Sequence, residues 1–374
     1  MKILFVIGTR PEAIKLCPVI RHFRESKTHN QICVCITAQH RQLSDQVLRT
    51  FDVMPNYDLN IMRRDQTPID VTGRMLLALD DVLSRVQPQL IIVQGDTCTA
   101  MSAAMAGFYS GIPIAHVEAG LRTYDPTCPF PEEMNRVLIS KLAAAHLAPT
   151  ERAASNLEVE GIARKNVSVT GNSGIDALLY VRQLIAQGVV RSTSRFEPCP
   201  GRRLVLVTTH RRESVEALAG ICNAVKRLAK LPKIEIAIPV HPNPKVKEKM
   251  VKNLRGVDNV RLLEPLDYVS FVSLLERVYL VLTDSGGIQE EAPSLGKPTV
   301  ILRNKTDRPE AIEAQSAILA GTDEWEIERV AASLLRDEDL YWQYSRVRSV
   351  YGDGRASVRI YGFVKSHFTS QWCE

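Results

Sequence analysis

The stretch Tyr279-Leu-Val-Leu-Thr-Asp-Ser-Gly-Gly-Ile-Gln-Glu-Glu291 passes from an apolar run through two adjacent glycines into a polar run. Tyr279–Thr283 reads as a buried strand, and the residues from Gly286 onward as the start of a helix. Paired glycines at such a junction let backbone N–H groups of Gly286 and Gly287 approach a diphosphate at the helix N-terminus. Ser285 adds a hydroxyl donor. Glu290 and Glu291 would repel phosphate at close range, but one turn along the helix an acid accepts ribose hydroxyls instead. A strand that ends in a ligand loop and continues as a helix is the repeating unit of a parallel α/β sheet.

Working outward, the same unit recurs along the chain. In the second half Arg203–Thr208, Ile234–Val240, Val260–Leu263 and Thr299–Leu302 read as strands. In the first half Lys2–Ile7, 31–37, Leu90–Val93, Ile112–Val117 and shorter runs near 145–148 and 167–170 do so. Helical spacing of apolar residues lies between them, as at 69–85 and 99–110. Short apolar strands alternating with helices imply parallel sheets covered on both faces. A chain of 374 residues is too long for one ordinary core. The expected fold class is α/β, with two Rossmann-like domains whose parallel sheets face a central cleft. The hinge falls near Thr170–Asn172, giving domains 1–171 and 172–354. Gln187–Gly201 lacks apolar periodicity and reads as a surface loop.

Composition narrows the function classes. The net charge is +5, and Lys and Arg are scattered instead of forming the clusters of a nucleic-acid surface. No apolar run approaches the roughly 18–20 residues that span a bilayer. The apolar start of MKILFVIGTRPEA is shorter than a signal-peptide core and reads as the first strand. The eight cysteines, at 17, 33, 35, 98, 128, 199, 222 and 373, contain no CxxC pair. They read as reduced thiols in a cytoplasmic protein, not as a disulfide frame or a zinc site.

Nearly every other polar cluster also follows a strand. Gly8-Thr-Arg-Pro-Glu12 places a glycine, a cation and a helix start together, a usual anion site to which Arg10 and Lys15 add charge. In Gly95-Asp-Thr97 either Asp96 or Thr97 suits a helix N-cap. Ala115-His-Val-Glu-Ala-Gly120 sets Glu118 in apolar surroundings, where a carboxylate requires a partner or a shifted pKa. Pro129–Arg136 opens a helix with Glu132 and Glu133. A carboxylate in a first turn serves the helix dipole, a role that suits Glu133 before Glu132. Thr208-Thr-His-Arg-Arg-Glu213 and His241 end strands of the second half, and Arg308 sits at a loop-to-helix junction.

At these residues the chain resembles the non-hydrolysing UDP-N-acetylglucosamine 2-epimerases, along almost its whole length. The matching motifs are GTRPEAIK (8–15), TAQHR (37–41), NYDLNIM (56–62), GDT (95–97), HVEAGLRT (116–123), PEE-NR (131–136), HRRES (210–214), LTDSGGIQEEAPSLGKP (282–298), RPEA (308–311) and YGDG (351–354). The resemblance implies a GT-B-like fold in which the C-terminal helix, 355–374, returns to the first domain. It implies interconversion of UDP-GlcNAc and UDP-ManNAc with no cofactor and no metal. The route would be anti elimination of UDP across C1–C2, then re-addition through 2-acetamidoglucal. Residue by residue, it places the catalytic groups on Asp96, Glu118, Glu132 and His210. UDP contacts fall on Arg10, Lys15, Leu266, Phe271, Ser285, Gly286, Gly287, Glu291 and Arg308. A second, regulatory substrate site would use Gln39, His40, Gln42, Gln46 and His241. A homodimer is also implied, with no nucleic-acid or membrane partner.

This chain departs from the family pattern at Phe130 (for tryptophan), Thr209 (for glycine), Cys98 and Ala100 (for threonines) and Gly174 (for valine). All the acid–base positions are kept. The competing readings are a hydrolysing epimerase releasing UDP and ManNAc, a GT-B glycosyltransferase, and a non-catalytic nucleotide-sugar sensor. A sensor would keep the glycine-rich loop without needing Asp96, Glu118 and Glu132 together.

Overall fold

A computed structural model describes residues 1–26, 30–37, 41–63, 66–209, 214–240, 243–347 and 349–368, with side-chain surroundings defined at all of these but 41–43, 214–217, 244 and 245. The chain forms two compact units, Met1–Tyr180 with Tyr351–Glu374, and Val181–Val350. The division falls inside the helix Ser173–Ala186 and not ahead of it at 171/172. The first half of that helix explains the shift. Tyr180 packs on the ring of Phe51, 5.1 Å away, and under the guanidinium of Arg21 at 4.2 Å.

In the first unit seven strands form one sheet: β1 (Lys2–Ile7), β2 (Gln31–Ile36), β3 (Tyr57–Asp58), β4 (Leu90–Gln94), β5 (Ile114–Val117), β6 (Ala145–Ala148) and β7 (Val167–Val169). Their order is β3-β2-β1-β4-β5-β6-β7, with every neighbouring pair parallel. The second unit repeats the plan with β8 (Arg203–Thr208), β9 (Ile234–Pro239), β10 (Val260–Leu263), β11 (Leu280–Thr283), β12 (Thr299–Ile301) and β13 (Ala317–Leu319). The order there is β10-β9-β8-β11-β12-β13, again parallel. Each sheet starts at its middle, builds one edge, then crosses back to build the other. The strand order therefore reverses between β1 and β4 and between β8 and β11. Ligands of open α/β sheets bind outside the carboxyl ends of the strands at such reversals. The Gly8, Gly95 and Asp284 loops all leave strands at these two points.

The continuous apolar runs are explained by burial on both faces. Ile3 to Ile7 are at most 1% exposed. On one side Leu4, Val6, Ile91 and Val93 meet Val71, Met75 and Leu79 of the helix Pro68–Val86 and Met101 and Ala104 of the helix Cys98–Tyr109. The second unit has its own core, where Val205, Ile236 and Leu282 pack with Leu218, Val225 and Ile327. Gln187–Gly201 carries no strand or helix, and it is pinned within the second unit by Thr193 N–H donating to Ser270 Oγ (2.9 Å).

The C-terminal helix Ala356–His367 is stitched to the first unit by Asp176. Its carboxylate accepts from the backbone N–H of Ala356 (3.1 Å) and Ser357 (2.8 Å), a capping role supplied from 180 residues away. Asn172 N–H donates to Tyr351 O at 2.6 Å beside it. Removing the carboxylate leaves two buried N–H groups without acceptors, which costs about 2–3 kcal/mol. Asp176→Ala is therefore expected to lower the urea midpoint of the first unit, followed by circular dichroism, whereas Asp176→Asn, which keeps one acceptor oxygen, loses about half as much.

Candidate active site

In the first unit the polar side chains gather at the carboxyl ends of β1, β4 and β5. Glu118 follows β5 directly, with φ at 64°, a left-handed conformation that a non-glycine residue adopts at a cost. Its Oε2 accepts from Lys15 Nζ at 2.5 Å and from Gln94 Nε2 at 2.5 Å. Both charged partners are buried, with side chains 9% and 6% exposed. The partner that the sequence required for this carboxylate is thus Lys15, brought up by the helix Arg10–Glu25. A buried pair of this kind holds only because each charge answers the other.

Asp96 is not the N-cap. Thr97 caps the helix Cys98–Tyr109 by accepting from Ala100 N–H at 3.0 Å, which releases the Asp96 carboxylate to face Arg136. Arg136 Nε lies 2.8 Å and Nη2 2.7 Å from Asp96 Oδ2. Two further bonds hold the Asp96 loop by its carbonyls: Asn135 Nδ2 donates to Asp96 O (2.8 Å), and His116 Nε2 donates to Gly95 O (2.7 Å). Burial pushes the His116 pKa down to about 3, so the ring is neutral and its proton sits on Nε2.

The adjacent acids of the helix Glu132–Leu142 part company. Glu133 is buried and serves as a structural tie. It accepts from Thr123 N–H and Tyr124 N–H, both at 2.9 Å, and from Arg136 at 3.0 Å. That is a loop clamp and more than the dipole role its position suggests. Glu132 stays half-exposed at the helix start, near Cys98.

In the Gly8–Glu12 loop two backbone donors turn inward: Gly8 N–H (3.1 Å) and Thr9 N–H (2.6 Å) both donate to Glu12 Oε2. Burial pushes the Glu12 pKa up to about 7, against the pull of hydrogen bonds from Thr97, Thr9 and Gly8. Arg10 is half-buried at the start of the same helix.

In the second unit the Asp284–Glu291 loop builds a different surface. Ser285 is the N-cap residue of the helix Gly286–Ser294, and its N–H donates to Thr283 Oγ1 at 2.9 Å. Arg308 lies against Gly286 so closely that a Cβ there would stand 2.8 Å from its Cζ. The guanidinium is held by Glu290 Oε1 (2.6 Å from Nε) and Asp307 Oδ2 (2.7 Å from NH1). Arg303 in turn lies 3.3 Å from Asp307. Glu290 is thus an arginine clamp, while Glu291 accepts from Tyr268 O–H at 3.0 Å. Phe271, in the helix Tyr268–Arg277, and Leu266, just before it, are half-buried.

Of the regulatory positions, Gln46 is exposed on the helix Arg41–Thr50. His210, Gln39, His40 and His241 lie outside the described residues, as does the side chain of Gln42. Among the described residues no group of three His, Cys, Asp or Glu side chains is placed to hold a metal ion, and no helix is long and apolar enough to cross a membrane. Sequence reading passed over Glu12, Gln94, His116 and Arg136 as working parts. Each stands inside or next to a motif it singled out, and a polar residue closing an apolar strand (Gln94) is the signal that was available.

Comparison with known proteins agrees with this architecture. The family model for UDP-N-acetylglucosamine 2-epimerase matches residues 24–365. The UDP-N-acetylglucosamine 2-epimerases of Yersinia pestis and Escherichia coli K12 are each 45% identical over 373 residues, 98% of this chain and 99% of theirs. The crystal structure of the Neisseria meningitidis UDP-GlcNAc 2-epimerase bound to UDP-GlcNAc superposes with a TM-score of 0.93 at 41% identity, covering 98% of this chain and 100% of that one. A match of this breadth, on two parallel sheets of this order, means that the chain belongs to the UDP-N-acetylglucosamine 2-epimerase family of isomerases.

Proposed function

We propose that this protein interconverts UDP-GlcNAc and UDP-ManNAc without releasing free sugar. The observation that carries the reading is the buried Glu118, bonded by Lys15 and Gln94 at the end of β5. The C2 proton passes to a carboxylate as the C1–O bond breaks and its electron pair leaves with UDP, giving 2-acetamidoglucal. UDP then attacks C1 again, and a second acid delivers a proton to the opposite face of C2. Because that proton is only weakly acidic, C–O cleavage runs ahead and a firmly held diphosphate leaving group does much of the work.

Asp96, Glu118 and Glu132 are the acid–base candidates on the first unit, and His210 is assigned to the departing diphosphate. On the second unit Ser285, Gly286, Gly287 and Arg308 take the diphosphate, Glu291 the ribose, and Leu266 and Phe271 the uracil, with Arg10 and Lys15 adding charge. Activation by a second molecule of substrate, at Gln39, His40, Gln42, Gln46 and His241, belongs to the same proposal, as do a cytoplasmic setting and supply of ManNAc units for surface polysaccharide. A homodimer is supported by exposed apolar side chains on neighbouring helices of the first unit: Ile69, Leu77, Phe108, Tyr109 and Leu138.

The test is incubation with UDP-GlcNAc alone in D₂O, followed at C2 by NMR. The expected result is deuterium at C2 together with UDP-ManNAc. Free ManNAc with stoichiometric UDP would assign the hydrolysing reaction instead, and absence of any exchange would refute both.

A further inference from the structure

We infer that Glu12 is a positioning residue for the acid–base site: its carboxylate fixes the loop after β4, which carries Asp96, against the loop after β1. The inference rests on the reading of Asp96 as an acid–base group.

The geometry is a four-donor clasp. Oε2 accepts from Gly8 N–H, Thr9 N–H and Thr9 Oγ1 at 3.1, 2.6 and 2.8 Å. Oε1 accepts from Thr97 Oγ1 at 2.8 Å, across 85 residues of sequence. Thr97 adjoins Asp96 and caps the next helix through Ala100 N–H. One carboxylate therefore joins the starts of two helices that leave β1 and β4, the strands on either side of the reversal point. The loops cannot drift apart or slide without breaking a buried hydrogen bond.

The plainer account is that Glu12 only closes a capping box with Thr9. The chain contains a control for it. Thr67 and Asp70 form the same box at the start of the helix Pro68–Val86, where Asp70 Oδ2 accepts from Thr67 N–H (3.0 Å) and Thr67 Oγ1 (2.7 Å). That box lies at the surface, and its three bonds all run between Thr67 and Asp70. Capping needs neither burial nor a distant partner, yet Glu12 is 1% exposed and spends a whole oxygen on Thr97. Gly8 shows how tightly the loops meet, since a Cβ on it would stand 2.0 Å from Thr99 Oγ1.

The experiment compares Thr97→Val, Thr97→Ser, Glu12→Ala and the double variant Glu12→Ala/Thr97→Val with the intact protein, reading kcat, KM and UDP affinity. Loosening the Asp96 loop by about an ångström is expected to lower kcat by roughly 30- to 100-fold in Thr97→Val and in Glu12→Ala. Affinity for UDP stays within about threefold, and Thr97→Ser, which keeps the hydroxyl, stays within about threefold of wild-type kcat. The double variant is expected to be no slower than the slower single one, because both remove the same link. Asp70→Ala, which breaks the surface box alone, leaves kcat unchanged. Independent, multiplying losses in the double variant would overturn the inference, as would a Thr97→Val enzyme with wild-type kcat. Should Glu12→Ala not fold, Glu12→Gln, which leaves the Thr97 cap untouched, takes its place beside the Thr97 pair, and wild-type kcat in it would overturn the inference. Failure of the intact protein to exchange C2 would instead refute the functional reading beneath it.

Discussion

Glu118→Gln is expected to slow C2 exchange by about 10³-fold or more while leaving the affinity for UDP within about threefold. The substitution is close to isosteric and suits the same left-handed backbone. Its single carbonyl oxygen can still accept from Lys15 and Gln94, which both address one oxygen of the native carboxylate. What disappears is the capacity to take up a proton. Lys15 keeps a hydrogen-bond acceptor but loses the charge of Glu118 while buried, so the folded state is also weakened, by about 3 kcal/mol. A lowered melting temperature alongside intact UDP binding therefore fits the prediction. NMR in D₂O and calorimetric titration with UDP check it. Exchange at more than a tenth of the wild-type rate would remove Glu118 from the chemistry. Joint loss of exchange and UDP binding would mark it as structural.

What the sequence could convey here depended on how local the cause was. Strands such as β1, β8 and β11 were readable because four to six consecutive apolar residues need burial on both faces. The loops that follow them were readable because glycine and acid clusters stood out against those runs. β3 and β13, of two and three residues, carry too little pattern to be seen and exist because the edges of β2 and β12 offer them backbone partners.

The candidate acids were also visible, but their partners were not. Lys15 and Glu118 are 103 residues apart, and Arg136 and Asp96 are 40 apart. No spacing rule links them; only the strand order does. The division of labour between Glu132 and Glu133, or between Asp96 and Thr97, likewise follows from which way each side chain turns. A helix start offers the same chemistry to both members of each pair.

The strand-to-helix junction at Asp284–Glu291 makes the second prediction. Gly286→Ala is expected to weaken UDP binding by about 10²-fold, near 2.7 kcal/mol. The added methyl would lie 2.8 Å from Cζ and NH1 of Arg308. That guanidinium cannot step aside easily, because Glu290 and Asp307 grip it at 2.6 and 2.7 Å in a buried setting. Moving it breaks at least one charge-assisted bond and carries the cation away from where the diphosphate is proposed to sit. Gly287→Ala serves as the contrast. Among the described residues a Cβ there meets nothing within 4 Å, so the protein itself accepts the methyl and any loss of affinity reports directly on the ligand. Titration with uridine separates the two parts of the nucleotide. If Arg308 acts on phosphate, Gly286→Ala binds uridine as the wild type does and fails only with UDP. Equal losses for uridine and UDP would mean that the methyl has collapsed the loop. Wild-type UDP affinity in Gly286→Ala would detach Arg308 from the diphosphate altogether.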